Sequence, residues 1–319
     1  MSGHDHGDQA FRADSLYGRQ PEMTFSGALS FLRRRYTRDV AGADVVVSGI
    51  PFDSATTNRP GARFGPAAIR AASTQLAELD AFPWGFDPFE RLAVADWGDC
   101  FLDPGLPDEI AGRIADHARG ILAQGARMLT FGGDHFVTWP LLRAHAEVHG
   151  PLALVQFDAH PDTWPDDGHR IDHGTMITRA IDEGVIDPAH TVQVGVRTVA
   201  PTLGCTVLDA PRVHAEGPAA IVEHIRATVS GRPCYLSFDI DCLDPAFAPG
   251  TGTPVAGGLS SAQALAILRA LGDLDPIGMD VVEVAPAYDH AGITALAAAT
   301  LAHDYLCLLA ERKRDGNRE

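Results

Sequence analysis

The sequence predicts an α/β fold in which parallel strands are joined by helical crossovers. From about residue 40 onward, short β-rich runs alternate with amphipathic stretches rich in Ala and Leu, which is the rhythm of βα units. Hydrophobic residues make up 45% of the 319 residues and charged residues 21%, as in an ordinary globular protein. No repeat or interdomain linker breaks the pattern. We therefore expect a single domain over residues 41–319, preceded by an irregular N-terminal arm over residues 1–40.

Eight β-rich runs are predicted as strands and seven amphipathic stretches as helices. The predicted strands cover residues 44–52, 91–98, 126–132, 152–159, 191–197, 205–208, 234–240 and 277–284. The predicted helices cover residues 65–79, 108–124, 138–149, 175–184, 218–230, 260–271 and 294–310. This alternation fits either a closed barrel or an open doubly wound sheet, and both place functional residues at the carboxyl ends of the strands. The Gly- and Pro-rich segment 244–258 is predicted to be a loop beside that site.

Composition excludes several classes of function. The net charge of −17 disfavours a nucleic-acid partner and suits a cationic substrate, although a negative surface can also serve solubility alone. No apolar run reaches the roughly 18 residues that a membrane span needs, and the N-terminus lacks the pattern of a secretion signal, so we expect a cytoplasmic protein. The five scattered cysteines predict neither a disulfide framework nor a thiolate metal site. His4 and His6 are expected to lie in a mobile tail.

Potential metal ligands follow three of the predicted strands. They lie in segments 131–135, 157–162 and 237–242, and comprise His135, Asp158, His160, Asp162, Asp239 and Asp241. The spacing of two in Asp158-x-His160-x-Asp162 and in Asp239-x-Asp241 directs successive side chains to the same face of an extended chain. Each motif alone could be a tight turn or an Asx turn. Together, however, four carboxylates and two imidazoles at the ends of apolar strands could not all stay ionised without cations, which predicts a bound metal cluster.

The donor set indicates which metal and how many ions. Oxygen-dominated ligation with a few imidazoles suits Mn(II), with Zn, Fe, Co or Ni as alternatives. Six ligands exceed the need of one catalytic ion, whereas two ions about 3.5 to 4 Å apart with bridging carboxylates would use all of them. Four aspartates balance two dications, and an added hydroxide leaves a net charge of about −1. This charge favours a guanidinium or amine substrate.

Five segments resemble the signatures of the ureohydrolase (arginase) family and occur in the family's order. They are Gly-Gly-Asp-His at 132–135, Phe-Asp-Ala-His-x-Asp at 157–162, His-Gly-Thr-Met at 173–176, Ser-Phe-Asp-Ile-Asp-Cys-Leu-Asp-Pro at 237–245 and Gly-Met-Asp-Val-Val-Glu-Val-Ala-Pro at 278–286. The match continues from about residue 50 to residue 301, including segments 245–254 and 293–300. The resemblance implies a three-layer α/β/α fold with a mostly parallel eight-stranded sheet, assembled as a homo-oligomer, either a trimer or a hexamer.

The resemblance also implies a role for each ligand. One Mn(II) would be held by His135, Asp158, Asp162 and Asp239, and the other by His160, Asp158, Asp239 and Asp241. The two cations would lower the pKa of a shared water, whose hydroxide attacks the guanidinium carbon while Asp162 aligns it. Glu283 would pair with the guanidinium nitrogens and His173 would protonate the departing amine. The alternative roles are a structural ion pair for Glu283 and a core histidine for His173, while Asp134 and Arg197 are expected to orient their neighbours.

Within the family, the match most closely follows the branch that hydrolyses agmatine to putrescine and urea, a step of polyamine biosynthesis. In the loop 163–172, the acidic residues Asp166, Asp167 and Asp172 could favour the distal ammonium of such a substrate. If Arg170 faces the pocket, the protein would instead be a guanidino-acid hydrolase acting on a compound such as 4-guanidinobutanoate. Two further alternatives are a catalytically silent metal-binding member and a deacetylase of related fold with a single zinc. Gln156, Pro161 and Ile177 depart from the family's commoner residues, which bears on the substrate more than on the chemistry.

Overall fold

The computed structural model describes residues 15–18, 24–77, 79–274 and 276–316, so that His4 and His6 lie outside the described residues. Within these ranges, nine strands form one sheet in the order β1-β3-β2-β4-β9-β8-β5-β6-β7. They are β1 Arg35–Tyr36, β2 Val45–Gly49, β3 Val94–Asp99, β4 Arg127–Phe131, β5 Leu152–Phe157, β6 Ile186–Val194, β7 Thr206–Leu208, β8 Cys234–Asp239 and β9 Pro276–Val282. All neighbouring strands pair in parallel. The order ends at β1 and β7, so the sheet is open and not a barrel.

Helices cover both faces of this sheet. They are α1 Gly65–Ser73, α2 Ile110–Leu122, α3 Thr138–His149, α4 Met176–Asp182, α5 Ala210–Val229, α6 Ser261–Arg269 and α7 Ile293–Gly316. Helices α1, α5, α6 and α7 share one hydrophobic core with the sheet, and α2, α3 and α4 share a second core on the opposite face. The predicted three-layer α/β/α architecture is therefore confirmed.

The strands supply both cores because successive side chains point to opposite faces of a sheet. In β5, Ala153, Val155 and Phe157 pack into the first core, whereas Leu152 and Leu154 pack into the second. Strands that are buried on both faces read as continuous apolar runs, as parallel strands between helices do. This explains why the central strands could be found from their composition, whereas β7, at the edge of the sheet, is only partly buried.

Two helix boundaries follow local chemistry. The hydroxyl of Ser260 accepts a hydrogen bond from Gln263 N–H at 3.2 Å, and the Gln263 side chain accepts one from Ser260 N–H at 3.1 Å, which caps α6 reciprocally. In α5 the helical geometry breaks at Gly217, with φ at 77°, and resumes at Pro218. The predicted helix 218–230 corresponds to the part after this break, because Pro is favoured in the first turn of a helix.

The ninth strand, β1, lies inside the segment predicted as an irregular arm. Arg35–Tyr36 pairs with β3, and the preceding Phe31 and Leu32 are fully buried. At least residues 31–36 therefore pack as part of the sheet and its first core. The boundary between arm and domain otherwise stays a prediction, since residues 1–14 and 19–23 lie outside the described ranges.

One described helix has the length and composition of a membrane span. The window Ile293–Lys313 of α7 has a mean hydropathy of 1.5, although no uninterrupted apolar run of that length was expected. However, 78% of this window is buried inside the protein. The apolar surface of α7 is thus already buried in the first core, as expected for a central helix of an α/β fold.

The topology brings the predicted site residues to one edge. Strands β4, β9, β8 and β5 are consecutive in the middle of the sheet. Since they are parallel, their carboxyl ends lie side by side. His135, Glu283, Asp239 and Asp158 come from the chain at or just beyond these four ends.

Candidate active site

A cavity of about 340 Å³ opens above the carboxyl ends of the central strands. Its lining includes Thr57, His135, His160, Asp162, Trp164, Pro165, Asp172, His173, Gly174, Thr175, Asp239 and Thr253. Five of the predicted catalytic or metal-binding residues line it directly. Asp158, Asp241 and Glu283 lie behind this lining and contact it through the hydrogen bonds and close approaches described below.

His135 is the centre of a first cluster. Its Nδ1 atom lies 2.9 Å from Asp158 Oδ2, 2.9 Å from Asp162 Oδ2 and 3.3 Å from Asp239 Oδ2. All four side chains are buried. The structure therefore gathers at one point the four residues expected to hold one metal ion.

His160 is the centre of a second cluster. Its Nδ1 atom lies 3.1 Å from Asp241 Oδ2 and 3.5 Å from Asp158 Oδ1. Asp158 takes part in both clusters with different oxygens, as a bridging ligand would. Asp239 lies between them, because its Oδ2 faces His135 and its Oδ1 accepts a hydrogen bond from Asp241 N–H at 2.8 Å.

The carboxylates of the two clusters are buried and crowd one another. Burial and the charge of Asp158 raise the pKa of Asp162 to about 6, and burial with the charges of Asp241 and Asp158 raises the pKa of Asp239 well above its usual range. His135 Nδ1 is buried without a well-directed hydrogen bond to any described residue. Carboxylate oxygens and imidazole nitrogens that converge in this way form a donor set for divalent cations. These residues therefore fit a pair of metal ions.

His135 is oriented by a chain of hydrogen bonds that runs through the Ser237 hydroxyl to Asp280, here called the hydroxyl relay. Its Nε2 atom is 2.9 Å from Ser237 Oγ, and that hydroxyl donates to Asp280 Oδ1 at 2.7 Å. Asp280 is fully buried, and its Oδ2 accepts hydrogen bonds from the hydroxyls of Thr138 and Tyr235 at 2.9 and 3.1 Å. Because the Ser237 proton is committed to Asp280, its oxygen accepts the Nε2–H of His135. The Nδ1 lone pair is thereby directed to the carboxylate cluster.

Two glutamines hold the Asp158 carboxylate in place. Gln156 Nε2 donates to Asp158 Oδ2 at 2.7 Å, and Gln193 Nε2 donates to Gln156 Oε1 at 2.7 Å and to the carbonyl of Pro161 at 2.6 Å. Gln156 and Pro161, which depart from the family pattern, thus support a proposed ligand rather than contact a substrate. Ile177, the third departure, is buried in the second core.

Arg197 and Asp134 fix the loops around the clusters. Arg197 Nη2 donates to the carbonyls of Asp241 and Val255 at 2.6 and 2.7 Å, which joins a ligand segment to the predicted loop 244–258. Asp134 Oδ2 accepts a hydrogen bond from Ala55 N–H at 2.8 Å. Both residues act on backbone, as expected for residues that orient their neighbours. Thr253 of the same loop donates to Asp241 Oδ2 at 3.3 Å and lines the cavity.

Glu283 and His173 form a buried pair beside the first cluster. Glu283 Oε1 accepts a hydrogen bond from His173 Nδ1 at 2.8 Å and another from His135 N–H at 2.9 Å. His173 Nε2 lies 2.9 Å from the Thr57 hydroxyl. Glu283 and Asp162 both have left-handed backbone, with φ at 63° and 52°. Such conformations are costly for residues with a side chain and cluster at functional sites.

The structure separates the three acids of loop 163–172. Asp166 forms a bidentate ion pair with Arg179 at 2.6 and 2.7 Å, so its negative charge is already balanced by that guanidinium. Asp167 is exposed and accepts hydrogen bonds from backbone N–H groups of its own turn. Asp172 lines the cavity. The Arg170 side chain is 73% exposed and is not among the residues that line the cavity, although its Nη2 atom lies 3.9 Å from Oδ2 of Asp172, which does line it.

Sequence reasoning did not single out Thr57, Trp164, Ser237 or Asp280 as site residues. Asp280 carried a usable signal, because a charged residue in the middle of an apolar strand needs a buried partner. Thr57 lies 116 positions from His173, and no pattern in the sequence indicated that the two residues meet. All five cysteines are described, buried and outside any disulfide, as predicted.

An open parallel sheet with paired His/Asp clusters at its carboxyl edge defines an α/β metallohydrolase. The model of the arginase family matches residues 43–307, and the chain belongs to this family. A protein named agmatinase from Chromobacterium violaceum is 59% identical over 314 residues, covering 98% of each chain. A crystal structure of a hypothetical agmatinase from Burkholderia thailandensis matches with a TM-score of 0.96 at 61% identity, covering 97% of this chain and 99% of that one. Proclavaminate amidino hydrolase from Streptomyces clavuligerus matches with a TM-score of 0.86 at 42% identity, covering 91% and 99%. The family resemblance inferred from the motifs is confirmed.

Proposed function

We propose that this protein hydrolyses the guanidino group of agmatine to give putrescine and urea. Relatives named agmatinase at 59% and 54% identity support this substrate. The exposed position of Arg170 supports agmatine over a guanidino acid, because Arg170 is not itself among the residues that line the cavity. The observation that carries the proposal is the unpaired oxygen of Glu283 beside the two His/Asp clusters.

Glu283 is the residue that we propose binds the guanidinium group. Its Oε1 is occupied by His173 and His135, whereas its buried Oε2 has no hydrogen-bond partner among the described residues. A Cβ atom at Gly252 would lie 3.3 Å from Oε2, so any larger residue at this position would crowd the oxygen. A buried carboxylate oxygen without a partner is costly. A guanidinium N–H directed at Oε2 would satisfy it with a charge-assisted hydrogen bond.

Two Mn(II) ions are the proposed cofactors. His135, Asp158, Asp162 and Asp239 would hold one, and His160, Asp158, Asp239 and Asp241 the other. When bound, the ions supply the Lewis acidity that lowers the pKa of water and so provides a nucleophile near neutral pH. Asp162 lies at the cavity surface, where its carboxylate can accept a hydrogen bond from the attacking water and direct it toward the carbon held by Glu283.

His173 is the proposed proton donor to the departing amine. Burial lowers its pKa, but the hydrogen bond to Glu283 and the charges of Asp162 and Asp134 outweigh burial and raise it to about 9. The backbone N–H of Thr57, 3.2 Å from Nε2, opposes this effect because it favours an unprotonated Nε2. His173 can therefore gain a proton at Nε2 and release it to the amine, while Nδ1 stays bonded to Glu283.

The proposal includes the setting of the enzyme. We place it in the cytoplasm as a homo-oligomer, trimer or hexamer, acting on a small cationic substrate. The net charge of −17 supports attraction of such a substrate. Light scattering coupled to gel filtration measures the assembly directly.

The test is to quantify urea from the Mn(II)-loaded protein with agmatine, arginine, 4-guanidinobutanoate and 3-guanidinopropionate, each alone. We expect urea from agmatine. A preference for a guanidino acid would instead favour the alternative function, a guanidino-acid hydrolase. No urea from any compound would refute hydrolysis of these substrates. Metal content from the same preparation separates two ions per chain from the single ion of a deacetylase.

A further inference from the structure

Both ring nitrogens of His173 already have hydrogen-bond partners. Nδ1 lies 2.8 Å from Glu283 Oε1, and Nε2 lies 2.9 Å from the Thr57 hydroxyl oxygen and 3.2 Å from the Thr57 backbone nitrogen. An imidazole nitrogen carries either one hydrogen or one acceptor lone pair, and so has a single hydrogen-bonding position. Thr57 occupies that position at Nε2. A departing amine therefore cannot contact Nε2 directly while Thr57 stays in place.

Thr57 lies in the loop that follows β2, and this loop is fixed on both sides of it. On one side, Ala55 N–H donates a hydrogen bond to Asp134 Oδ2 at 2.8 Å. On the other side, Asn58 Nδ2 donates to the Gly252 carbonyl at 3.1 Å. These hydrogen bonds hold the backbone of the loop, so the contact between Thr57 and His173 is part of the folded framework.

Thr57 also lies beside the position proposed for the guanidinium group. It is exposed and lines the cavity. A Cβ atom at Gly252 would lie 3.3 Å from Glu283 Oε2 and 3.4 Å from Thr56 Cγ2, so the residue before Thr57 and the unpaired Glu283 oxygen flank the same glycine. A guanidinium bound at Oε2 is therefore a neighbour of the Thr57 segment.

A threonine hydroxyl can pass a proton on without becoming ionised. It rotates freely and offers one hydrogen to donate and two acceptor lone pairs. When His173 Nε2 is protonated, Thr57 Oγ1 accepts the Nε2–H and can donate its own hydrogen into the cavity. The Thr57 backbone N–H is a fixed donor that cannot accept a hydrogen bond, so at 3.2 Å it favours release of the Nε2 proton.

We infer that the Thr57 hydroxyl carries the proton from His173 to the departing amine. As the C–N bond breaks, its electron pair goes to the amine nitrogen, which takes the hydrogen of Thr57 Oγ1, and Oγ1 receives the Nε2 proton. Thr57 ends the step unchanged and His173 ends it neutral, so one proton has moved and no further reactant is needed. This inference rests on the proposed function, since it requires a guanidino substrate and His173 as the source of the proton.

The experiment compares Thr57→Val, Thr57→Ser and Thr56→Val in the Mn(II)-loaded protein. Valine keeps the shape of threonine and the backbone N–H but removes the hydroxyl, whereas serine keeps the hydroxyl. Thr56→Val is the matched control, because the Thr56 hydroxyl has no hydrogen-bond partner among the described residues.

Urea is measured from two substrates that differ in the basicity of the leaving group. The first is agmatine, which releases an alkyl amine. The second is 3-aminopropoxyguanidine, in which an oxygen replaces the methylene next to the guanidino group. Its leaving group is an alkoxyamine, which is a much weaker base than an alkyl amine and depends less on protonation.

We expect Thr57→Val to lower kcat for agmatine about 10²-fold with KM unchanged, as for loss of general acid catalysis. Thr57→Ser should recover most of this kcat, and Thr56→Val should match the wild type. The loss in Thr57→Val should be smaller on 3-aminopropoxyguanidine. The metal content of each variant should equal that of the wild type.

The hydrogen bond itself can be observed without catalysis, from the ¹⁵N chemical shifts of the His173 ring in the metal-free protein. Removal of the hydroxyl in Thr57→Val should shift the Nε2 resonance, whereas Thr56→Val should leave it in place. An unmoved Nε2 resonance in Thr57→Val would show that the hydroxyl does not contact His173 in solution, which would overturn the inference.

An unchanged kcat for agmatine in Thr57→Val would show that His173 donates to the amine directly, and would also overturn the inference. So would an equal loss in Thr57→Ser, or equal losses on the two substrates, because either result would assign the effect to the shape of the loop. In each case the wild type still releases urea from agmatine, so the proposed function stands. If the wild type releases no urea from agmatine, the proposed function itself fails, and the inference fails with it.

Discussion

Replacing Ser237 with alanine tests whether the hydroxyl relay prepares His135 for metal binding. Ser237 Oγ lies between His135 Nε2, at 2.9 Å, and Asp280 Oδ1, at 2.7 Å. Alanine removes the acceptor of the Nε2–H group, and both His135 and Asp280 are buried, so water cannot easily replace it. The imidazole then loses the contact that fixes its tautomer and ring orientation.

The expected magnitude follows from this geometry. A buried donor that loses its only acceptor costs about 1 to 3 kcal/mol, and a factor of ten in affinity corresponds to about 1.4 kcal/mol. We therefore expect Mn(II) to bind about 5- to 150-fold more weakly at the His135 cluster, which overlaps the range of about 10- to 100-fold found for partners of metal ligands. Asp280 keeps its hydrogen bonds from Thr138 and Tyr235, so the core around it should persist.

The assay is Mn(II) titration of the metal-free protein, with urea release followed in parallel. Thr138→Val is the matched control, because the Thr138 hydroxyl also donates to Asp280, whereas the hydroxyl bonded to the His135 ring is that of Ser237. It should bind Mn(II) as the wild type does. Wild-type affinity in Ser237→Ala would refute the relay, and an equal loss in Thr138→Val would show that general disturbance of the core is the cause.

Three further predictions concern catalysis and stability. Glu283→Gln keeps an acceptor for His135 N–H but loses the negative charge, so kcat/KM for agmatine should fall about 10- to 100-fold. Both Mn(II) ions should be retained. Loss of metal from this variant would contradict a role of Glu283 in substrate binding. His173→Asn should lower kcat about 10²- to 10⁴-fold, and an unchanged kcat in urea release would exclude it as the proton donor. Burial lowers the pKa of His145 from 6.5 to about 4, so the unfolded chain takes up the proton first as the pH falls. Its contribution to the unfolding free energy is complete above pH 6.5 and decreases by about 3 kcal/mol toward pH 4. Denaturant unfolding across this range should show a smaller decrease for His145→Phe, and an equal decrease would refute the assignment.

The parts of the molecule that depend on local patterns could be predicted from the sequence. All eight predicted strands are present, and the central ones could be recognised because a strand that is buried on both faces is a continuous apolar run. The six candidate ligands stood out because they follow such runs, five of them at a spacing of two, and the structure brings their side chains together. The two-residue strand β1 was not predicted, because its only support is pairing with β3, some 60 positions away.

Other features depend on contacts between distant segments. Asp280 could be recognised as unusual within an apolar strand, but its partners Ser237 and Thr138 come from other elements of the chain. The orientation of His173 depends on Thr57 and Glu283, which lie 116 and 110 positions away. No local spacing encodes such pairs.

Loop 163–172 shows the same division most clearly. Its composition alone determined that a negatively charged segment lies near the metal ligands. Asp166, Asp167 and Asp172 are equivalent in that respect, and only the tertiary structure distinguishes them. Arg179 of α4 neutralises the first, solvent surrounds the second, and the cavity receives the third. The reason is physical: the charge of a side chain is a property of the residue, whereas its partner and its exposure are set by the elements packed around it.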